Sequence, residues 1–125
     1  MKRIISTSKA PEAIGPYSQA IEANNMLFIS GQISLHPETG EIIGETTGEQ
    51  TEQVLRNLSA VLEAAGYTLE NVVKTTCMLD NMDDFQEMNA VYNHYFGDVL
   101  PARAAFEVSS LPKRVKIEID AIAVK

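Results

Sequence analysis

The sequence is poor in several residue types, and each shortage excludes a class of protein. It has a single cysteine in 125 residues, so no intrachain disulfide can form and we expect a reducing, cytoplasmic setting. No run approaches the roughly 18 apolar residues of a membrane span. The apolar start at Ile4-Ile5 is too short for the hydrophobic region of a signal peptide. Lysine and arginine number only 10 against 17 acidic residues, a net charge of −7, so nucleic acid is an unfavourable partner. Without an apolar span, no membrane partner is expected either.

Motifs for a metal, a nucleotide or an activated nucleophile are also missing. The plausible soft metal ligands, His36, Cys77 and His94, do not stand at the spacing of any zinc motif. Cys77 lies within a predicted strand and is interpreted as a buried, inert thiol. Residues 110–113 match an S-x-x-K pattern, but their proline opposes the helical turn that would bring the lysine beside the serine. We therefore expect no metal and no cofactor.

What is present is the composition of one globular domain spanning residues 1–125. Hydrophobic residues make up 45% and charged residues 22% of the chain, and this length can bury a proper core. Periodicity and turn residues predict the order β-β-β-α-β-α-β-β. The predicted strands are 1–6, 18–23, 26–33, 72–79, 103–108 and 115–124, and the predicted helices run from Thr46 or Thr47 to Gly66 and from 83 to 96.

The pattern on the strands predicts which faces of the sheet are covered. In the last strand, Val115, Ile117, Ile119, Ala121 and Ala123 share one face, where two helices would pack. Residues 26–33 and 72–79 carry apolar side chains on both faces. A face without helices should not be this apolar, so we infer that another copy of the chain covers it.

An arginine and a glutamate remain as candidates for chemistry. Arg103 opens one late strand and Glu118 lies in the last one. If these strands are antiparallel neighbours, both side chains reach one pocket. An arginine fork binds a carboxylate through two hydrogen bonds, and a glutamate can hold a water molecule and transfer its proton. From the residues alone, a structural ion pair is the competing interpretation.

Five segments together carry a family resemblance. They are AIGPYSQA at 13–20, SGQI at 30–33, PAR at 101–103, LP at 111–112 and VKIEIDAIA at 115–123. In these segments, and in order along nearly the whole chain, the sequence resembles the RidA/YjgF family of reactive-intermediate deaminases, also called 2-iminobutanoate/2-iminopropanoate deaminases. The resemblance implies a chorismate-mutase-like α+β fold with a six-stranded mixed sheet and two helices on one face. It also implies a homotrimer that forms a central β-barrel, with clefts between subunits.

The resemblance further implies an activity and a site. Arg103 would bind the substrate carboxylate, and Glu118 would position and activate the water that converts a 2-imino acid, or its enamine tautomer, to a 2-oxo acid and ammonia. Many members carry cysteine where this chain has Ala105, so a thiol role there is excluded and a ligand-binding branch becomes an alternative. The implied substrate-binding positions are Tyr17, Ser30, Gly31, Phe85, Asn89, Arg103 and Ala105, with Ile14 and Gly15 at the rim.

Two other functions stay open at this point. A non-catalytic trimer that binds small carboxylates, for sensing or for stabilising a partner, would use Arg103 but would have no use for Glu118. Some relatives carry ribonuclease labels, which the acidic charge and the lack of an exposed basic and aromatic surface disfavour.

Overall fold

The computed structural model describes residues 1–125 and has the element order that the sequence predicts. Thr47–Ala64 and Phe85–Phe96 form the helices α1 and α2. Short 3₁₀ turns precede β4, α2 and β6. The strands are β1 (Lys2–Ile5), β2 (Ala20–Ala23), β3 (Met26–Gln32), β4 (Val72–Leu79), β5 (Ala102–Glu107) and β6 (Ile117–Val124).

Local chemistry sets the boundaries of these elements. Asn24 and Asn25 have φ values of 52° and 60°, as a two-residue hairpin between β2 and β3 requires. Thr46 caps α1 in a capping box, in which its side chain accepts from the Glu49 amide and the Glu49 carboxylate accepts from the Thr46 amide. Gly66, with φ +83°, follows the end of α1 in the left-handed conformation that favours glycine.

The six strands form one mixed sheet in the order β1-β2-β3-β6-β4-β5. Only β4 and β5 are parallel, because α2 connects them and returns the chain to the same end of the sheet. The α+β prediction of a six-stranded mixed sheet with two helices is confirmed. The condition for a pocket within one chain, that the strands of Arg103 and Glu118 are antiparallel neighbours, is not met, since β4 lies between β5 and β6.

Both helices cover the same face of the sheet. The predicted inward residues of β6 are at most 2% exposed, and Val54, Leu58 and Val61 of α1 are fully buried in the same core. At about 1.5–3 kcal/mol for each fully buried aliphatic side chain, this core is the main source of stability. The buried inward residues are Val115, which precedes β6, and Ile117, Ile119, Ala121 and Ala123 of the strand itself.

The other face of the sheet is apolar and accessible. Ile4, Ile21, Phe28 and Ile122 are consecutive register partners across four strands, and they alternate with the helix-covered residues. Ile4 and Phe28 are 63% and 42% exposed. Apolar patches of this kind mark contact surfaces. No helix in the structure has the length and apolarity that crossing a bilayer would need.

Candidate active site

Arg103 lies against one side of α2 in a pocket built from uncharged groups. Phe85, Asn89 and Tyr92 follow each other at helical spacing and face β5. The Arg103 guanidinium carbon lies 5.3 Å from the centroid of the Phe85 ring and 4.7 Å from that of Tyr92, and its Nη1 donates to Asn89 Oδ1 at 2.7 Å. We call Phe85, Asn89, Tyr92 and Arg103 the arginine pocket; the cavity beside it has a volume of about 420 Å³.

The guanidinium has no acidic partner. The two salt bridges of the chain join Arg3 to Glu22 and Arg56 to Glu52, and Arg103 makes a single side-chain hydrogen bond, to Asn89. An arginine has five N–H donors in a rigid fork, so most of them are free. The arginine pocket is therefore suited to binding a carboxylate through two hydrogen bonds.

Glu118, the second residue of β6, lies in a second pocket. The register of β3 shifts between Ile29 and Gln32, at a bulge where Gly31 lies against the Glu118 side chain and Ser30 lines the same cavity. Bulges of this kind often adjoin active sites. A Cβ atom on Gly31 would collide with Glu118, lying only 2.8 Å from its Cδ. We call Tyr17, Ser30, Gly31 and Glu118 the glutamate pocket; its cavity also has a volume of about 420 Å³.

The Glu118 carboxylate is partly desolvated and has no cationic partner. Burial raises the pKa of Glu118 above the usual carboxyl range, and the nearby charge of Asp120 raises it further. No side chain donates a hydrogen bond to Glu118 within the chain. A carboxylate with a raised pKa is a stronger base than an ordinary glutamate, which suits it to accepting a proton from water.

Within one chain the two pockets do not meet. Arg103 is the register partner of the buried Thr75 and points to the helix-covered face, whereas Glu118 alternates with the buried Ile117 and Ile119 and points to the open face. Two strand spacings, roughly 10 Å, separate β6 from β5. Arg103 and Glu118 of the same chain therefore do not share a pocket, because alternation along the strands directs them to opposite faces.

Each of the remaining predicted positions lies beside one of these two pockets. Ala105 follows Arg103 on the helix-covered face of β5 and pairs with Cys77, whose buried thiol has a pKa raised by burial to about 11. Ile14 is 82% exposed and lines a cavity beside the glutamate pocket. Gly15, at φ +120°, lies beside the Tyr17 ring. No three histidine, cysteine or acidic side chains cluster as a metal site.

Sequence reasoning missed one member of the arginine pocket. Tyr92 is not among the substrate-binding positions expected from the sequence, although it lies seven positions after Phe85 and three after Asn89. Residues at this spacing share one helical face, so the two predicted pocket positions already pointed to Tyr92. Its ring is 7% exposed and packs under the guanidinium.

Comparison with known proteins identifies relatives along the whole chain. The family model described as endoribonuclease L-PSP matches residues 7–125. A RutC family protein of Pyrococcus horikoshii is 58% identical over 125 residues, which are 100% of this chain and 99% of the relative. The chloroplastic Reactive Intermediate Deaminase A of Arabidopsis thaliana is 50% identical, over 98% of this chain and 65% of the relative. The human 2-iminobutanoate/2-iminopropanoate deaminase is 46% identical, over 100% and 91%.

Solved structures have the same fold. A Thermotoga maritima protein superposes with a TM-score of 0.98 at 57% identity, covering 100% of this chain and 98% of the other. Escherichia coli TdcF with bound serine superposes with a TM-score of 0.93 at 40% identity, covering 98% of both chains. The expected α+β fold is confirmed by these solved relatives.

Proposed function

The chain belongs to the endoribonuclease L-PSP family, the RidA/YjgF family of its sequence motifs, and from this premise we propose that it is a hydrolytic deaminase of reactive 2-imino acids. Its substrates are short 2-imino acids such as 2-iminopropanoate and 2-iminobutanoate, with their enamine tautomers. Its products are 2-oxo acids and ammonia. Curated relatives named for this activity, 46–50% identical to the chain, support the proposal.

The observation that carries the proposal is a pair of complementary, incomplete pockets. One holds a guanidinium without an anion, and the other holds a desolvated carboxylate without a cation. Since they face opposite sides of one sheet, a site that uses both must join Arg103 of one copy to Glu118 of another. The open apolar face around Phe28 and Ile122 is a surface through which copies can associate. We take the assembly to be a homotrimer, with one cleft between each pair of subunits.

In such a cleft, Arg103 holds the substrate by its carboxylate. The two hydrogen bonds of the fork fix the orientation of the neighbouring C=N carbon, because that carbon is bonded directly to the carboxyl carbon. Asn89, Phe85 and Tyr92 keep the fork in place. The substrate then extends towards Tyr17, Ser30 and Gly31 of the adjacent copy.

Glu118 supplies the proton transfers. It accepts a proton from a water molecule while the water oxygen bonds to the imine carbon and the C=N π electrons move to nitrogen, which gives a carbinolamine. The carboxyl returns that proton to nitrogen, which completes the amino group of the carbinolamine. It then accepts the hydroxyl proton and passes it to the same nitrogen while the hydroxyl oxygen forms the carbonyl and the C–N bond breaks, so that the nitrogen leaves as ammonia. Water is the only co-reactant, and the products are one 2-oxo acid and one ammonia. Acid–base assistance of this kind contributes about 10²–10⁴-fold.

Ammonia release from freshly generated imines tests the proposal. An amino-acid dehydratase produces the imine in the cuvette, and the rate of ammonia formation is compared with and without the protein. We expect Arg103→Ala to abolish the acceleration, and Glu118→Gln to abolish the rate while ligand binding is partly kept. Full activity of either variant would contradict its assigned role, and no acceleration by the wild-type protein would contradict the function.

Two relatives favour a second candidate, a trimer that binds small carboxylates without chemistry. A relative in Lactococcus lactis, 50% identical, is described as a regulator named AldR, and TdcF was solved with serine bound. Such a protein would bind a 2-oxo or amino acid through Arg103 and would be indifferent to Glu118→Gln. The ribonuclease activity in the family description would instead appear as RNA binding that weakens steeply with salt, which a net charge of −7 opposes.

A further inference from the structure

Tyr92 connects Arg103 to the interior of the protein. Its ring lies 4.7 Å below the guanidinium carbon, closer than the ring of Phe85. At its other end, the Tyr92 hydroxyl lies 2.7 Å from the hydroxyl of Thr75, in a buried contact. Thr75 is fully buried and is the register partner of Arg103 on the neighbouring strand. The contacts therefore form a short closed path from Arg103 through Tyr92 to Thr75 and back through the sheet.

This path restrains the guanidinium without an anionic partner. A carboxylate partner would occupy the N–H donors that a substrate carboxylate needs, whereas an aromatic face contacts the flat side of the fork and leaves its edge free. Burial raises the pKa of Tyr92, so the phenol stays neutral near pH 7 and does not compete as an anion. The Oδ1 atom of Asn89 accepts a hydrogen bond from Nη1 of Arg103 and so occupies one of its N–H donors.

We propose that Tyr92, anchored by Thr75, is the positioning residue that holds Arg103 in its carboxylate-binding orientation. This inference rests on the proposed function, because it assigns the carboxylate of the substrate to Arg103. Tyr92 acts through Arg103 and does not touch the reacting atoms. The Thr75 hydroxyl fixes the tilt of the ring, and it is also the one partner that the buried Tyr92 hydroxyl has.

Binding of a carboxylate and of its uncharged analogue separates positioning from general structure. The probes are 2-oxobutanoate and 2-oxobutanamide, titrated by calorimetry into the assembled protein. We expect Tyr92→Leu to weaken 2-oxobutanoate binding about ten-fold and to leave 2-oxobutanamide unchanged. The matched control is Tyr95→Leu, on the same helix, whose hydroxyl contacts Glu52 instead of the arginine pocket; it should bind both probes as the wild type does.

The anchor is tested by paired conservative variants. Tyr92→Phe keeps the ring and Thr75→Val keeps the shape of the threonine, so each should weaken carboxylate binding by a few-fold, and the double variant should be no worse than either alone. Thr75→Ser keeps the hydroxyl and should restore wild-type binding. In the ammonia assay, all of the weakening variants should raise KM with little change in kcat.

Three results would overturn the proposal. One is unchanged 2-oxobutanoate binding by a folded Tyr92→Leu protein, and another is equal weakening for the amide, which would indicate a structural role. The third is wild-type protein that does not prefer the acid over the amide. A wild-type protein that binds 2-oxobutanoate in a Tyr92-dependent way but releases no ammonia would support the positioning role while contradicting the proposed reaction.

Discussion

Mixing two inactive variants is the sharpest test of the split site. In the proposed mechanism, Arg103→Ala removes the group that binds the substrate carboxylate and Glu118→Gln removes the base, so assemblies of either variant alone should be inactive. Because the two side chains point to opposite faces of one sheet, a working site takes its arginine from one chain and its glutamate from another. A mixed assembly can therefore contain intact sites, although neither chain carries both residues.

The size of the recovery follows from random assembly. Each site takes position 103 from one chain and position 118 from another. In an equal mixture, about half of the sites receive an arginine and, independently, about half receive a glutamate, so about a quarter of the sites are complete. The variants are co-expressed with different tags, and mixed assemblies are confirmed by native mass spectrometry. Ammonia release should reach about a quarter of the wild-type rate per chain.

A second mixture provides the matched control. The double variant, assembled with an equal amount of wild type, should also keep about a quarter of the activity, whereas sites built within single chains would keep about half. Verified mixed assemblies with no activity above that of the separate variants would refute the shared site. Light scattering on the same samples gives the mass, and a monomer would refute the inferred assembly.

Three further predictions concern Glu118 and its neighbours. Gly31→Ala should lower kcat about 10²-fold with little loss of thermal stability, because the added methyl displaces a flexible carboxylate and no backbone; full activity would mean that this placement is not needed. Burial and Asp120 raise the pKa of Glu118, so the acidic limb of the pH–rate profile should lie above the usual carboxyl range, and Asp120→Asn should move it to lower pH. A limb that does not move would exclude Asp120 as a contributor. The same raised pKa favours the protonated carboxyl in the folded state, so its contribution to stability is present at low pH and is lost as the pH rises through the folded-state pKa. Glu118→Gln should thus increase the free energy of unfolding at pH 7, and the gain should shrink towards pH 4, as denaturant unfolding at the two pH values would measure; a constant difference would contradict the argument.

Features that depend on neighbours along the chain were predictable from the sequence. The Asn24-Asn25 hairpin, the Thr46 cap of α1 and the alternation of β6 are short-range effects of turn chemistry, capping and side-chain period, and the structure contains all three. The contiguous family motifs contain Arg103 and all four residues of the glutamate pocket, whereas the α2 residues of the arginine pocket lie outside them. Tyr92 was not predicted as a pocket residue, because an ordinary core helix has the same stripe of apolar residues.

The sequence by itself determined the elements, the faces of the last strand and the residue types of the candidate site. Only the tertiary structure decided that β4 enters between β5 and β6, since strand order depends on contacts between segments that are distant in the chain and no local pattern encodes it. That insertion, together with alternation along each strand, directs Arg103 to the helices and Glu118 to the open face. Within one chain, the arginine and the glutamate thus lie in two separate pockets.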